Sequence, residues 1–482
     1  MQVAMAYKFK LVLSGEKIAE LCTVLGATRS LYNCALAQRS YAYRKMLLHG
    51  HITDKFLKVK MSQKEKERAN TVNSVYRVGR FNQDKEFSLK DIKNNPDLSM
   101  INYMACIPKG CAQQKLLDLD KAFSKLKKGE GGYPKFKRGK DRSDSIRFPA
   151  PDQCEVVATR RVRITRNGHV RTKGYGFVDV PKFGKLKFLQ TREMKYEKLN
   201  SISIKQEGKD LFVVINVEKE ISLERGESRD AVGIDRNANG EATLALSNGK
   251  LYQGPLEQVL KIEGRIKVLQ ARMRTMKKGS KTARKAYDKT SKLHLKKSRI
   301  ISDWQHKATT DIAKNHSIVG LENLGIKRMT KSSKGTKEKP GKKVAQKSGL
   351  NLAMLRFAHS ETERQLLYKV SWRMGWVLKT NPHYTSIWCS ECGERHETVR
   401  EGREFICLAC GSILDADVNG AKNVKLRVDE FLAGRDSSPG VSVELLASVC
   451  DIYAANKSKR RSRNQLKAEK RKLVVSLKPN AA

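Results

Sequence analysis

The spacing of apolar and polar residues changes along the chain and divides it into regions of different expected structure. Residues 7–13 alternate as a strand does, whereas residues 17–130 lack alternation and are predicted to be mainly helical. From residue 134 to residue 220 the period becomes two, with turns predicted at Asn167–Gly168 and Gly208. A mainly helical segment is therefore expected to precede a β-rich one.

A third region begins near residue 230 and mixes strands with long helices. An apolar strand is predicted to end at Asp235, and two further strands are divided by Asn248–Gly249. Apolar residues at helical spacing then predict two packed helices that meet at Gly279–Ser280. A short buried strand follows, with Glu322 just past its end. This order of elements is typical of an α/β layer.

The segment after Glu322 is rich in Lys, Ser and Gly. It predicts a basic, flexible loop at residues 327–349. A helix from Leu350 to Met374 is expected next, and one more strand is expected before Cys389.

The net charge of the chain indicates which class of partner the protein binds. Among 482 residues, Lys and Arg number 97 and Asp and Glu 50, giving a net charge of +47. So large an unbalanced charge repels itself in a compact protein, which indicates a polyanionic partner, above all nucleic acid. A membrane partner is not expected, because no apolar run reaches the ~18 residues of a spanning helix and the N-terminus lacks a signal-peptide core. We expect a cytoplasmic, nucleoid-associated protein.

Four of the ten cysteines form a motif of two Cys-x-x-Cys pairs separated by fourteen residues. They are Cys389, Cys392, Cys407 and Cys410. Two tight turns at this spacing can present four thiolates to one tetrahedral Zn²⁺. Four thiolates leave no coordination position for water, so the expected zinc is structural. The other six cysteines are scattered and are expected to be reduced.

Three acidic residues stand at the ends of predicted elements, and each alone is a weak signal. Asp235 ends a strand, Glu322 follows another, and Asp417 lies at the start of a predicted helix. Carboxylates at the ends of elements in one α/β layer can converge, and such oxygen ligands suit Mg²⁺ or Mn²⁺. Two such ions about 4 Å apart can activate water and stabilise the leaving oxygen of a phosphodiester.

Several segments resemble the TnpB and type V CRISPR effector superfamily, whose members are RNA-guided DNA endonucleases with a RuvC-type nuclease of RNase H fold. These segments are residues 26–36, 131–148, 232–249, 280–324, 366–393 and 405–424. The resemblance implies that Asp235, Glu322 and Asp417 are the catalytic carboxylates and hold two Mg²⁺ ions. It also implies that the four cysteines bind one structural Zn²⁺ in a ribbon inserted before the helix that carries Asp417.

The resemblance further implies a multidomain α+β fold: a helical recognition lobe, a β-barrel-like wedge domain and an RNase H-like α/β RuvC nuclease with an inserted zinc ribbon. The expected domains are a first wedge strand (1–16), the helical recognition domain (17–130), the second part of the wedge (131–228), the first part of the nuclease (229–388), the zinc ribbon or target nucleic-acid-binding domain (389–411), the third nuclease motif (412–430) and a basic tail (431–482).

The implied partners are a guide RNA and a target DNA, double-stranded and in some reactions single-stranded, bound by a monomer or a dimer. Two other functions explain part of the sequence. An RNA-guided binder that does not cut would not need the complete acidic trio, and a structural RNA-binding protein would leave the three acids unexplained. Within the favoured class, both a transposon-encoded TnpB and a compact CRISPR effector fit the sequence.

Overall fold

The computed structural model describes most of the chain. The described residues are 2–48, 83, 106–139, 143–158, 162–164, 170–172, 174–220, 228–237, 243–336, 338–395, 398–434 and 444–446. They fall into two compact units, Met1–Ile221 and Ser222–Ala482. The turn predicted at Asn167–Gly168 and the end of the basic tail, residues 447–482, lie outside the described residues.

The N-terminal unit contains nine strands and two helices among its described residues. The helices are α1 (Gly15–Leu48) and α2 (Lys109–Lys127). The strands are β1 (Gln2–Leu11), β2 (Ser145–Phe148), β3 (Glu155–Ala158), β4 (Val162–Ile164), β5 (Val170–Thr172), β6 (Gly174–Val180), β7 (Gly184–Gln190), β8 (Lys198–Glu207) and β9 (Asp210–Glu220). A 3-10 turn at Pro151–Gln153 precedes β3.

Seven of these strands form one open sheet in the order β2-β8-β9-β1-β7-β6-β3. The predicted hairpin is confirmed: β8 and β9 pair antiparallel, and Gly208 between them has a φ of 65°, which glycine tolerates best. Alternate residues of the strands, together with Leu21, Leu25 and Leu116 from the two helices, form the core. The first strand lies between β9 and β7, so the N-terminus is paired into the middle of the sheet.

The C-terminal unit interleaves strands and helices. Its strands are β10 (Ser228–Arg236), β11 (Leu244–Leu246), β12 (Leu251–Tyr252), β13 (His316–Glu322), β14 (Trp376–Thr380), β15 (Thr398–Glu401), β16 (Glu404–Cys407), β17 (Ile413–Asp415) and β18 (Glu444–Leu446). Its helices are α3 (Leu256–Thr275), α4 (Lys281–Asn315), α5 (Ile326–Met329), α6 (Val344–Arg356), α7 (His359–Ser371) and α8 (Ala416–Leu432).

Six strands of this unit form a mixed sheet in the order β12-β11-β10-β13-β14-β18. The central strands β10, β13 and β14 run parallel, and α4 and α7 contribute Ile312 and Leu366 to a core on the sheet. Strands β15, β16 and β17 form a separate three-stranded sheet that leads into α8. The predicted multidomain α+β fold class is confirmed, including parallel strands alternating with helices in this unit.

The prediction of one helix from Leu350 to Met374 is wrong, because two helices, α6 and α7, meet in a break at Phe357 and Ala358. Phe357 is completely buried, and Ala358 has a φ of 46°, a left-handed conformation that ends a helix. The side chain of Gln305 in α4 donates hydrogen bonds to the carbonyls of both residues, at 2.8 and 3.2 Å. Burial of the Phe357 ring thus stabilises the protein more than an uninterrupted helix would.

The loop predicted at residues 327–349 is shorter in the structure, since α6 begins at Val344 and α5 continues to Met329. The predicted basic tail also contains structure: Glu444–Leu446 pairs antiparallel with β14 and extends the mixed sheet. None of the described helices combines the length and apolar character needed to cross a membrane.

Candidate active site and metal centre

Asp235 and Glu322 lie side by side at the same end of the mixed sheet. Strands β10 and β13 are parallel, with Ile234 opposite Leu321, so the next residue of each strand is one of the two acids. Both acids are part of their strands, Asp235 one residue before the end of β10 and Glu322 as the last residue of β13. The prediction that Glu322 follows its strand was wrong by one residue. Parallel pairing therefore brings the two carboxylates together.

Asp417 approaches Asp235 from the first turn of α8. Asp415 is the N-cap of this helix, and its Oδ1 accepts hydrogen bonds from the backbone N–H groups of Asp417 and Val418, at 3.0 and 3.1 Å. The positive end of the helix dipole favours an acidic side chain at this position. The cap fixes where the helix begins and so where Asp417 is presented.

Gly233 allows α8 to approach β10 closely, and Gly420 of α8 faces Asp235 at ordinary contact distance. A Cβ atom on Gly233 would lie 2.0 Å from the carbonyl oxygen of Ala421, and one on Gly420 would lie 3.4 Å from the Oδ2 atom of Asp235. The first distance is far inside van der Waals contact, so this packing requires glycine at position 233. The contact sets the distance between Asp417 and the strand that carries Asp235.

We expect Gly233→Ala to destabilise the C-terminal unit and to reduce any activity that depends on the three acids. Overpacking of a core costs typically 1–3 kcal/mol, and this clash is with backbone that cannot move aside without moving α8. Thermal unfolding measures the effect. Gly264→Ala in α3 is the matched control, because nothing lies within 4 Å of its Cβ and alanine favours a helix. An unchanged melting temperature in Gly233→Ala would contradict the packing described here.

Polar neighbours hold each carboxylate in place. The Oδ1 atom of Asp235 accepts from the N–H of Arg236 at 2.7 Å, and its Oδ2 accepts from the side-chain amide of Asn237 at 3.2 Å. Asn237 also hydrogen-bonds to the side chain of Asp417, so one amide connects two of the acids. The hydroxyl of Thr385 donates to Glu322 at 2.5 Å.

Electrostatics at the site favour a cation. Burial raises the pKa of Asp235 above its ordinary value, and the negative charges of Glu322 and Asp417 raise it further. Burial also raises the pKa of Glu322, against the hydrogen bond from Thr385 and the charge of Arg236. The pKa of Asp417 is raised by burial and by Asp415. The raised pKa values show that the ionised carboxylates would be stabilised by a nearby cation, and their hard oxygen atoms match the preference of Mg²⁺ or Mn²⁺.

Arginines surround the acids without neutralising all of them. Arg236 donates to the backbone carbonyl of Glu322 and pairs with Glu363 at 3.2 Å. Arg400, on strand β15, lies 3.4 Å from the Oδ1 atom of Asp417 and is 45% exposed. Arg427 in α8 donates to the backbone carbonyls of Asn381 and His383.

The four predicted zinc ligands come together as the sequence indicated. The Sγ atoms of Cys389 and Cys410 are 3.8 Å apart and those of Cys392 and Cys407 are 3.6 Å apart. A tetrahedral zinc with Zn–S bonds of about 2.3 Å separates its sulfur ligands by about 3.8 Å, so the spacing fits. Across the described residues these four cysteines are the one group of three or more metal-ligating side chains whose donor atoms all lie within 4.8 Å.

The backbone next to the cysteine cluster is hydrogen-bonded to the helix that carries Asp417. Asn419 donates its side-chain amide to the carbonyl of Trp388 at 2.8 Å and accepts from the N–H of Ser390 at 2.9 Å. One turn later, Asn423 donates to the carbonyls of Thr385 and Trp388, at 2.8 and 2.7 Å. These buried amides bind the backbone on both sides of Cys389, so the ribbon and α8 form one structural element.

Sequence reasoning missed the residues that position the acids: Asn237, Thr385, Asn419, Asn423 and the arginines. Their only sequence signal is nearness to a motif, such as the two asparagines four residues apart just after Asp417. Their partners are backbone groups or residues far away in the chain, so composition and spacing give no reason to select them.

Comparison with known proteins finds relatives that match most of the chain. A family model described as "Cas12f1-like, TNB domain" matches residues 359–424, and one described as "Probable transposase" matches residues 213–333. The chain is 28% identical over 426 residues to a protein of Escherichia coli (strain K12) named "Putative RNA-guided DNA endonuclease InsQ", covering 87% of this chain and 91% of that protein.

These matches support a relationship of the chain to the TnpB and type V effector superfamily. A second relative of the superfamily, "Putative RNA-guided DNA endonuclease" of Streptomyces pristinaespiralis, is 24% identical over 99% of this chain and 98% of its own. A solved structure described as a "Cas12f1-sgRNA-target DNA complex" aligns with 92% of this chain and all of its own, at 12% identity and a TM-score of 0.42. The two family models together cover Asp235, Glu322, Asp417 and all four cysteines.

Proposed function

We propose that this protein is an RNA-guided DNA endonuclease, either transposon-encoded or a compact type V effector. The observation that carries the proposal is that Asp235 and Glu322 end two neighbouring parallel strands, with Asp417 close enough that its charge and that of Glu322 raise the pKa of Asp235. A binder that does not cut, or a structural RNA-binding protein, has no use for three clustered acids that destabilise the fold unless a cation is bound. The relatives named above support the same function.

In the proposed reaction the three carboxylates hold two Mg²⁺ ions. The ions would supply activation of water and stabilisation of the leaving oxygen during hydrolysis of a phosphodiester. The protein residues do the positioning. Asn237 orients Asp235 and Asp417 through one amide, and Thr385 fixes the rotamer of Glu322. Arg400 lies close enough to Asp417 to meet a phosphate that approaches the acids.

The four cysteines are proposed to bind one structural Zn²⁺, since their sulfur spacing matches a tetrahedral ion. The hydroxyl of Ser412 hydrogen-bonds to the sulfur of Cys410. The ribbon's role is therefore to hold α8 in place.

We further propose that the N-terminal unit binds the guide RNA, with residues 17–130 as a recognition lobe and residues 1–16 with 131–228 as the wedge. Residues 229–388 and 412–430 would form the nuclease, and 389–411 the target nucleic-acid-binding ribbon. Base pairing between guide and target would supply sequence choice. Because the proposed target is prokaryotic DNA, the activity would take place in the cytoplasm, at the nucleoid. The protein would act there as a monomer or a dimer.

A direct test is to purify the full chain with the RNA transcribed beside its gene and to sequence the RNA that copurifies. A plasmid that carries a matching target with randomised flanking bases is then incubated with the complex and Mg²⁺. Cutting of the matched plasmid, and not of a plasmid mismatched to the guide, is the expected result. Guide-independent cutting, or binding without any cutting, would overturn the proposal.

Helix α4 offers a surface for the phosphate backbone of the nucleic acid. Its exposed lysines include a row spaced four, four, three and four residues apart: Lys281, Lys285, Lys289, Lys292 and Lys296. At 3.6 residues per turn and 1.5 Å per residue, this row lies within an arc of about 80° and extends for about 22 Å. The other side of the helix buries Ala283, Ala286 and Thr290. The row is therefore a line of positive charges held in place by the helix.

We expect the triple change of Lys285, Lys289 and Lys292 to Glu to weaken nucleic-acid binding and make it less sensitive to salt. Each lost phosphate contact removes about 0.7 to 0.9 from the slope of log K against log salt, so the slope should fall by about 2 to 3. Filter binding over a salt series gives the slope. The matched control changes the same three lysines to Arg, which keeps the charge and should keep the slope. A slope unchanged by the Glu variant would show that α4 does not touch phosphates.

A further inference from the structure

An aromatic pair, Tyr384 and Trp388, flanks in sequence Thr385, whose hydroxyl donates to Glu322. The rings of Tyr384 and Trp388 are parallel within 3°, with centroids 5.9 Å apart. Tyr384 is 58% exposed; the ring of His383 also lies near it, with centroids 6.1 Å apart and planes tilted by 45°. A tyrosine ring that stacks on a tryptophan and is still more than half exposed offers aromatic surface to a ligand.

The backbone at Tyr384 is strained in a way that the fold alone does not require. Its φ is 63°, a left-handed conformation uncommon for a bulky residue and easily adopted by glycine. Strain of this kind costs of order 1–3 kcal/mol and concentrates at functional sites, where a particular side chain is needed at a particular place. A tyrosine at a position suited to glycine points to a use for its ring.

The pair is rigidly connected to the candidate active site. Thr385, the next residue, is buried and donates its hydroxyl to Glu322. The carbonyl of Trp388 accepts from both Asn419 and Asn423 of α8. The backbone of the aromatic pair is thus connected to Glu322 through Thr385 and to α8, the helix that carries Asp417, through the two asparagines.

Positive charge surrounds the pair. The guanidinium group of Arg395 lies 3.9 Å from the centroid of the Trp388 ring, and that of Arg427 lies 5.2 Å from it. Flat aromatic faces combined with cations are the chemistry that binds single-stranded nucleic acid, because every base presents a π face and every linkage a phosphate. A protein partner would not select for this combination at the edge of a phosphodiesterase site.

We propose that Tyr384, stacked on Trp388, is a base-stacking subsite that holds an unpaired nucleotide of the substrate strand next to the bond to be cut. This inference rests on the proposed function and adds the position at which the strand is held. A base within a duplex is already stacked on both sides, so the subsite accepts a strand only where it is single. Stacking at this point would fix the nucleotide and so set which phosphate reaches the acids.

Two substitutions at Tyr384 separate the ring from the backbone. Tyr384→Phe keeps the ring, whereas Tyr384→Gly removes it and relieves the backbone strain. We expect Tyr384→Phe to match the parent protein in cleavage. We expect Tyr384→Gly to melt at or above the parent temperature and yet to show a KM for cleavage about 5- to 150-fold higher, the range of one lost base stack. If Tyr384→Gly cleaves as well as the parent, the ring has only a structural role and the proposal is wrong.

A second experiment does not depend on cleavage. The full chain is mixed with single-stranded oligothymidylate that carries one 5-iodouracil, with Ca²⁺ in place of Mg²⁺, and is irradiated. The expected result is a cross-linked peptide that contains Tyr384, retained in Tyr287→Ala, whose residue is 60% exposed on α4. Cross-links elsewhere but none at Tyr384 would overturn the subsite. Cross-linking at Tyr384 in a protein that never cuts DNA would leave the subsite standing and reject the nuclease.

Discussion

Replacement of Asp235, Glu322 or Asp417 by Ala is expected to abolish DNA cleavage and to leave guide RNA binding unchanged. Each residue supplies one of the three carboxylates proposed to hold the two Mg²⁺ ions, so the loss of one disrupts the shared site. We expect a fall in the cleavage rate of roughly a thousandfold or more, as is typical when one member of a catalytic group that acts as a unit is removed. Binding depends on basic surfaces elsewhere and on base pairing, so it should persist.

The same substitutions carry a second readout, which a purely structural role would not produce. Asp235 is held among two like charges, and these destabilise the protein when no cation is bound. Asp235→Asn removes one of the three charges and keeps a side chain of the same shape. Its melting temperature without divalent ions should therefore be higher than that of the parent protein, and added Mg²⁺ should stabilise the parent more than the variant.

Asp415→Ala is the matched control for these substitutions. Asp415 is two residues from Asp417 and equally acidic, but it caps α8 and pairs with Arg403 at 2.7 Å. Loss of an N-cap costs about 1 kcal/mol, so this variant should be slightly less stable and should lose far less cleavage than the three alanine variants. Guided cleavage by Asp235→Ala at the parent rate, with contaminating nuclease removed, would refute the assignment and favour a structural RNA-binding protein.

Local chemistry decides which parts of this site a sequence can predict. The cysteines are predictable because zinc ligands come as pairs on tight turns, and both pairs lie within 22 residues. The strands that end near Asp235 and Glu322 are predictable from apolar runs, whereas the contact of Asn237 with both Asp235 and Asp417 depends on strand pairing and helix docking over 180 residues. Hydrogen bonds of that kind leave no periodic trace in a sequence.

The fold shows the same division between local and distant causes. The hairpin at Gly208 and the helix pair that meets at Gly279 follow from turn residues and apolar spacing. The break between α6 and α7 does not, because helix-forming residues continue through it. It is caused by the burial of Phe357 and by Gln305, which lies about fifty residues earlier in the chain. Tertiary packing overrides helix propensity there, as it commonly does.

Replacement of Cys407 and Cys410 by Ser is expected to release the zinc and, as a consequence, to abolish cleavage. Binding of a metal by four thiolates is coupled to folding of a small ribbon, and this ribbon contains little other core than Phe405, Leu414 and Ala416. Metal analysis should give one zinc per chain for the parent and none for the variant. Cys34→Ser is the control, because Cys34 lies in α1 and far in sequence from the ribbon.

The loss of cleavage in the cysteine variant should come from movement of α8 and not from loss of a catalytic metal. The amides of Asn419 and Asn423 fasten α8 to the backbone around Trp388, and that backbone leads into the first zinc ligand. A double change of Asn419 and Asn423 to Ala should therefore keep the zinc, since all four thiols remain, and still reduce cleavage strongly. Buried amide hydrogen bonds of this kind contribute about 1 kcal/mol each, and their loss leaves backbone carbonyls unpaired. If the double variant retains zinc and cuts like the parent, the ribbon acts on the DNA directly and does not position Asp417.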